Sequence, residues 1–361
     1  MIITNGNVFI KILNLNKFHD LEKPFMNFLI PYFWKCKKQN CDLSITFRAY
    51  EDFFQNISNK TFKRRRCIRR SSAKPFNLFA SINKDEDEAI LALDQRNRVA
   101  YKIYKGNNSV EFFSDLKHEK TAFFHLIEFF RYLVLFIEES KGTLILHGSA
   151  VKDKKTDSCF IILGHKGAGK TSTMLDLVIN GGYDYFSGDK VLVSIKNEQL
   201  IIRGWPDYPH IGLGTLKNYP GWCSEILIDI NLLVNSKGNE YKILIDPSLF
   251  KRGINFSAKN VSQAAYLLFP SFMGNVDFNA TYVNPSEKNE NALSQFIESA
   301  SEFESVNWYK SNISTKAFKL NPSHPKKIME RLISSPWIKF EGSLANSKSK
   351  FTVDFLNIQD R

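Results

Sequence analysis

Eight consecutive residues, Gly164-His165-Lys166-Gly167-Ala168-Gly169-Lys170-Thr171, constrain this chain more than any other stretch. They complete the pattern GxxxxGK[ST]. Glycines in such a loop let successive backbone N–H groups turn toward one anion, because side chains there would collide with it. A helix predicted from Lys170 aims its partial positive end at the same point. Lys170 brings a mobile cation to terminal phosphates, and the Thr171 hydroxyl is placed to coordinate Mg²⁺. The flanks agree with this reading. The apolar run Phe160–Leu163 predicts a strand ending directly at Gly164, and Thr171–Ile179 predicts an amphipathic helix directly after it. Strand, anion loop and helix together predict a site for a nucleoside triphosphate, ATP or GTP, with Mg²⁺. Its binding residues are expected to be Gly164, His165, Lys166, Gly167, Ala168, Gly169, Lys170, Thr171 and Ser172.

The rest of the composition fits a folded, water-soluble enzyme or binding protein. Of 361 residues, 43% are hydrophobic, and 31 Phe with 13 Tyr supply ample core material, which excludes disorder as the overall state. The start of the chain lacks the basic, apolar and small-residue succession of a secretory signal. The most apolar stretch, Ala122–Ile137, is too short to span a bilayer and contains His125, Glu128 and Arg131. Five cysteines are too few and scattered for a disulfide framework, and Cys36 and Cys41 have no second Cys or His pair for a zinc site. These features point to a cytoplasmic protein with no membrane association.

The formal charge is +12, and eight basic residues without an acidic one lie between Lys60 and Lys74. Such a run is a docking surface for an acidic partner or a solvated basic loop. It lacks the interleaved aromatics of a single-strand platform, so a nucleic-acid-associated NTPase is a lesser alternative.

Along the chain, Val8–Leu13 and Leu43–Phe47 alternate as strands do, and Ile90–Leu93, Val99–Tyr104 and Val110–Phe113 predict an antiparallel meander. Lys120–Ser140 predicts a helix closed by Gly142. Beyond it, Thr143–Val151 and Ser158–Leu163 are β-rich, and Val191–Ile195 with Leu200–Arg203 predict a hairpin. Further strands are expected at Ile226–Val234, Tyr241–Ile245 and Ala264–Phe269, and helices at Asn289–Ser301 and His324–Ile333. Strands outnumber helices and do not alternate regularly with them, which argues against a doubly wound parallel sheet.

The stretch Leu146–Val193 resembles the core of the HPr serine kinase/phosphorylase family, which shares the phosphoenolpyruvate carboxykinase-type P-loop fold. The resemblance lies in His147-Gly148-Ser149, the Gly-rich loop, Gly181-Gly182 and Ser187-Gly188-Asp189-Lys190-Val191, in that order. It implies a mixed, β-rich α/β fold: a P-loop catalytic domain over 118–361, preceded by an N-terminal α+β accessory region over 1–117. It also implies an ATP-dependent kinase that phosphorylates a hydroxyl of a small molecule or peptide, with Lys170, Asp189 and His147 as catalytic residues and Thr171 and Asp189 as metal ligands. Two departures stand out. Gly188 replaces the first residue of the family's Asp-Asp pair, and only a weak echo of a further signature survives in His210-Ile211-Gly212-Leu213-Gly214. The loss at Gly188 keeps a second class open, a nucleotide-binding regulatory protein without phosphotransfer.

Other residues admit two readings each. Asp189 can reach Mg²⁺ or a substrate hydroxyl, or merely form a turn. His147 can orient a phosphate or hydroxyl, or be a core histidine. The aromatic loop Arg203–His210 can be a substrate lid or a packed irregular loop. Lys251 and Arg252 can offset phosphoryl charge or form a solvated pair. The sequence leaves the acceptor and the oligomeric state open.

Overall fold

Phe9–Leu13 and Leu43–Ala49 alternate buried with more exposed side chains, the signature of strands with one covered face. The computed structural model describes residues 1–38, 40–56, 62–69, 77–83, 88–115, 119–257, 261–263, 265–272, 279–315 and 324–342. Its fold is mixed α/β with several sheets. Two compact units are present, one formed by Met1–Gly142 with Ser299–Asn321 and the other by Thr143–Glu298 with Pro322–Arg361.

In the first unit, nine strands form one sheet: β1 (Ile2–Thr4), β2 (Phe9–Leu13), β3 (Trp34–Lys35), β4 (Leu43–Ala49), β5 (Lys63–Arg69), β6 (Leu78–Asn83), β7 (Ala89–Asp94), β8 (Val99–Tyr104) and β9 (Ser109–Ser114). Their order is β3-β1-β2-β4-β9-β8-β7-β6-β5. The expected meander is β7–β8–β9. Helices α1 (His19–Leu29) and α2 (Glu119–Ser140) belong to the same unit. Helix α2 is apolar nearly all round because nearly all of it is buried. Phe130 packs edge-on against Phe25 and Phe33, with centroids 5.2 and 5.3 Å apart, and Phe129 packs on Tyr101. The polar residues in its apolar run are paired. His125 lies between the Tyr101 hydroxyl (2.8 Å) and Asp94 (3.0 Å), and Arg131 donates to Glu128 at 2.6 Å. These contacts hold α2 in the first unit, so the compact units part at Gly142, whereas the family resemblance implies a boundary at 117/118.

The basic segment takes part in this sheet. Residues 63–69 form the edge strand β5, antiparallel to β6, so this part is not a loop; Lys60, Arg70 and Lys74 lie outside the described residues. Among the described residues, no helix is long and apolar enough to cross a membrane.

The second unit begins with β10 (Leu144–His147), β11 (Ser149–Lys152), β12 (Cys159–Ile162), α3 (Lys170–Ile179), β13 (Asp184–Ser187), β14 (Lys190–Lys196), β15 (Gln199–Gly204) and β16 (His210–Gly212). It continues through α4 (Leu213–Leu216), α5 (Pro220–Glu225), α6 (Ile230–Lys237), β17 (Lys242–Leu244), α7 (Pro247–Phe250), β18 (Val261–Ser262), β19 (Ala265–Phe272), β20 (Asn279–Tyr282), α8 (Glu290–Ser294) and β21 (Ile297–Glu298). The chain returns to the first unit with α9 (Glu304–Asn307), where Phe303 meets Tyr132 and Trp308 meets Tyr101. It then re-enters the second unit with α10 (His324–Ser334) and β22 (Trp337–Gly342).

Two larger sheets organise this unit, β18-β15-β14-β10-β21 and β13-β11-β12-β19-β22-β20, beside the ribbon β16–β17. The run Thr143–Val151 therefore divides between two sheets. Gly148 makes the crossing: a Cβ there would stand 2.7 Å from the Ile162 carbonyl oxygen and 2.8 Å from Leu163. Strands β12, β19 and β22 are mutually parallel, while β11 runs antiparallel to β12. Leu146, Phe186, Val191, Ile161, Leu267 and Trp337 fill a shared core.

Two sequence expectations are corrected here. Ile226–Val234 is not a strand. Asp229 accepts from the Leu232 N–H at 3.0 Å and opens α6, a side-chain cap that outweighs the β-branched composition. Asn289–Ser301 is not one helix. Asn289 caps α8 through the Ala292 N–H, but the helix ends at Ser294 and Ile297–Glu298 pairs with β10.

Candidate functional site

Strand β12 is buried throughout and leads straight into the Gly-rich loop, with the Leu163 N–H bonded to the Leu268 carbonyl at 2.8 Å. Helix α3 starts at Lys170 as expected. Its N-cap, Gly169, has φ 100° and no side-chain cap, and no acidic residue lies in the first turn. The positive end of the helix is thus not neutralised by its own residues. A Cβ at 169 would stand 2.0 Å from Cδ2 of Phe272, so the ring at the end of β19 closes against the loop. Lys170 Nζ donates to the carbonyls of Gly164 (2.6 Å) and His165 (3.3 Å). Burial lowers the Lys170 pKa, Lys242 lowers it further, and Asp189 and Glu298 pull the other way. The Ser172 hydroxyl meets that of Thr215 at 3.2 Å, joining the first turn of α3 to α4, and the His165 ring packs 5.7 Å from Phe296.

An acidic cluster flanks this loop. His147 ends β10 directly opposite Lys190 of β14. Asp189 occupies the β13–β14 turn, which is held down by two bonds: Gly148 N–H to the Asp189 carbonyl (3.0 Å) and Ser149 Oγ to the Gly188 carbonyl (2.8 Å). His147 Nδ1 lies 3.2 Å from Glu298 Oε1 and 3.7 Å from Asp189 Oδ1. Lys190 pairs with Glu298 and lies 3.4 Å from Asp189 Oδ2. Only 5% of the Lys190 side chain is exposed, against 41% for His147 and 37% for Asp189. A buried ammonium therefore underlies two carboxylates and an imidazole that remain open to solvent. Burial would raise the Glu298 carboxyl, but His147 and Lys190 outweigh it and hold it below the ordinary range.

The structure thus brings Lys170, Asp189 and His147 into one electrostatic neighbourhood and adds Glu298 and Lys190, which no motif marked. Glu298 lay inside a segment that reads as helix, and its two-residue strand carries no periodic signal. Among the described residues, no group of three or more His, Cys, Asp or Glu side chains is placed to hold a metal ion. A Mg²⁺ ion bound through phosphate oxygens needs only one or two protein ligands, and the Thr171 hydroxyl and the half-exposed Asp189 carboxylate suit that demand.

The remaining candidates lie on the loop after β15, on β16 and just after α7. The loop Trp205–Pro209 is pinned at both ends, with Trp205 fully buried, its N–H bonded to Ser187 Oγ (3.0 Å), and the Ile245 N–H bonded to the Pro209 carbonyl (2.9 Å). Of the two readings of this loop, packed segment rather than lid is the observed one. His210 belongs to β16 and faces Leu244, while Gly212 pairs with Lys242. Burial and the Lys242 ammonium lower the His210 pKa. Lys251 is pushed down to about 8 by burial, opposed by Asp246.

No protein-family model matches the chain, and no curated protein matches it.

Proposed function

We propose that the second unit is an ATP-dependent kinase with an HPr kinase-like, phosphoenolpyruvate carboxykinase-type P-loop core. It binds ATP or GTP with Mg²⁺ at the Gly-rich loop and transfers the γ-phosphoryl group to a hydroxyl of a small molecule or peptide. One observation carries this reading: an uncapped helix N-terminus follows a buried strand, and the loop's Lys170 shares its electrostatic surroundings with Asp189 and Glu298.

The chain's own groups have definable tasks. Backbone N–H groups of the loop and first helical turn bind phosphate oxygens. Lys170 exchanges its bonds to the Gly164 and His165 carbonyls for bonds to the β- and γ-phosphates. Thr171 and Asp189 hold Mg²⁺, which when bound neutralises charge building on those phosphates. His147 accepts the proton of the acceptor hydroxyl, and Glu298 stabilises the imidazolium that results. Lys190 contacts both Glu298 and Asp189 and offsets the repulsion between them. The acceptor oxygen forms a bond to γ-phosphorus as the bond to the bridging oxygen breaks, leaving a nucleoside diphosphate.

Gly188 favours the second reading, a nucleotide-binding regulator, since one carboxylate is missing from the turn. Incubation with γ-labelled ATP and a panel of metabolites and peptides separates the two. Transfer by the native chain, reduced ~10²–10³-fold in Lys170→Ala, supports the kinase. Nucleotide binding without transfer supports the regulator. Failure of the native chain to bind nucleotide refutes both.

A further inference from the structure

We propose that Lys242 is a second cation of this site, carried on the β16–β17 ribbon to bind the terminal phosphates of the nucleotide. The proposal rests on the nucleotide reading above. Those phosphates concentrate negative charge, and Lys170 supplies a single ammonium to them.

The ribbon fixes where Lys242 stands. Its register pairs His210 with Leu244, Ile211 with Ile243 and Gly212 with Lys242. Paired residues share a face and successive ones alternate, so Ile211 belongs to the buried face, while His210, Gly212 and the exposed Lys242 share the other. The ribbon runs directly into α4, where the Leu213 N–H bonds to the Tyr241 carbonyl (2.8 Å) and the Gly214 N–H to the Asn239 carbonyl (2.9 Å). Helix α4 is tied in turn to the first turn of α3. The Thr215 and Ser172 hydroxyls meet at 3.2 Å, and the Tyr219 hydroxyl donates to the Ser172 carbonyl at 3.4 Å. A continuous set of bonds thus links the strand that carries Lys242 to the helical turn that carries Lys170 and Thr171.

Two further observations turn this placement into a binding role. The face beside Lys242 is clear. Gly212 has φ −71° and ψ 140°, which any residue adopts, and a Cβ there would meet nothing within 4 Å. Packing does not require glycine at 212, and its lack of a side chain leaves room for an anion next to the ammonium. Lys242 also lies near enough to act on Lys170. Burial lowers the Lys170 pKa most; Asp189 opposes it, and the Lys242 ammonium adds to it. Among the described residues, no carboxylate forms an ion pair with Lys242. Two like charges at one site repel, and an anion between them turns that repulsion into attraction. Lys170 serves the β- and γ-phosphates in such a loop, so these are the phosphates within reach of Lys242.

The test titrates Mg-ATP and Mg-tripolyphosphate into the native protein, Lys242→Ala, Lys242→Arg, Gly212→Val and the surface control Lys237→Ala, with a melting curve for each. Lys242→Ala should keep the native melting curve and bind both ligands ~10-fold or more weakly, because a charge-assisted bond to phosphate is lost. Lys242→Arg should recover most of that affinity, since charge and reach persist. Gly212→Val should melt as the native protein does and bind both ligands more weakly, because its side chain enters the anion's space. Lys237→Ala should match the native protein. Native Mg-ATP affinity in Lys242→Ala or in Gly212→Val would overturn this proposal alone. So would a loss for Mg-ATP without one for tripolyphosphate, or an equal loss in Lys237→Ala, which would make Lys242 one surface charge among many. A native chain that binds neither ligand would overturn the nucleotide reading and this one together.

Discussion

Replacing Gly169 by alanine isolates the two physical demands that the start of α3 makes on its sequence. The residue has φ 100°, where a side chain costs ~1–2 kcal/mol. The added Cβ would stand 2.0 Å and 2.4 Å from Cδ2 and Cε2 of Phe272. Ordinary carbon contacts lie near ~3.5–4 Å, so the ring has to retreat by roughly 1.5 Å. Overpacking of this kind costs ~1–3 kcal/mol, partly relieved because the ring ends a strand and is only partly buried. Together these effects predict a loss of ~2–5 kcal/mol, which for a unit of this size lowers the melting temperature by roughly 4–20 °C. A double-mutant cycle with Phe272→Ala separates the parts. In that background only the backbone cost remains, so Gly169→Ala should then lose just ~1–2 kcal/mol. Calorimetric and denaturant unfolding supply the energies, and nucleotide titration should show weaker binding in both Gly169 variants. A Gly169→Ala protein within about 0.5 kcal/mol of native stability would refute the reasoning. So would equal losses in the two backgrounds, since the ring would then play no part.

Two further outcomes follow from buried charge. Lys251 titrates near 8 in the folded chain, below its ordinary 10.5, because burial disfavours the ammonium. The penalty on stability is full below pH 8 and is relieved as pH rises from 8 toward 10.5, so Lys251→Met should be more stable than native at pH 7 and flatter across that window; parallel native and variant profiles in urea titrations would count against it. In the first unit, His125→Leu strands the buried Tyr101 hydroxyl and removes one bond from the Asp94 carboxylate, which keeps those from Asn97, and should cost ~1–3 kcal/mol in unfolding experiments. A loss under about 1 kcal/mol would mean that water or a neighbour replaces the imidazole.

Much of this protein is legible one segment at a time. The eight residues from Gly164 to Thr171 specify a strand-to-helix turn through local chemistry alone, so Lys170 as the first helical residue follows from sequence. The meander of β7, β8 and β9 is equally local, since its turn residues and its period of two lie within one short stretch. Ile226–Val234 departs from a strand for a local reason, since the Asp229 cap decides the start of α6 more sharply than average composition does. The helix that Asn289 starts, by contrast, is cut short by the distant pairing of Ile297–Glu298 with β10.

The assembly of the candidate site belongs to tertiary structure. His147 and Glu298 are 151 positions apart in sequence, yet adjacent strands of one sheet bring them within 3.2 Å. Tyr185, Gly188 and Asp207 likewise become neighbours only because β14 and β15 fold back on each other. A periodic pattern reports which face of an element is buried, and it carries no information on which distant element covers that face. Residue 188 shows the limit: sequence reveals that a carboxylate is absent there, while only packing places the oxygens of Tyr185 and Asp207 beside the gap.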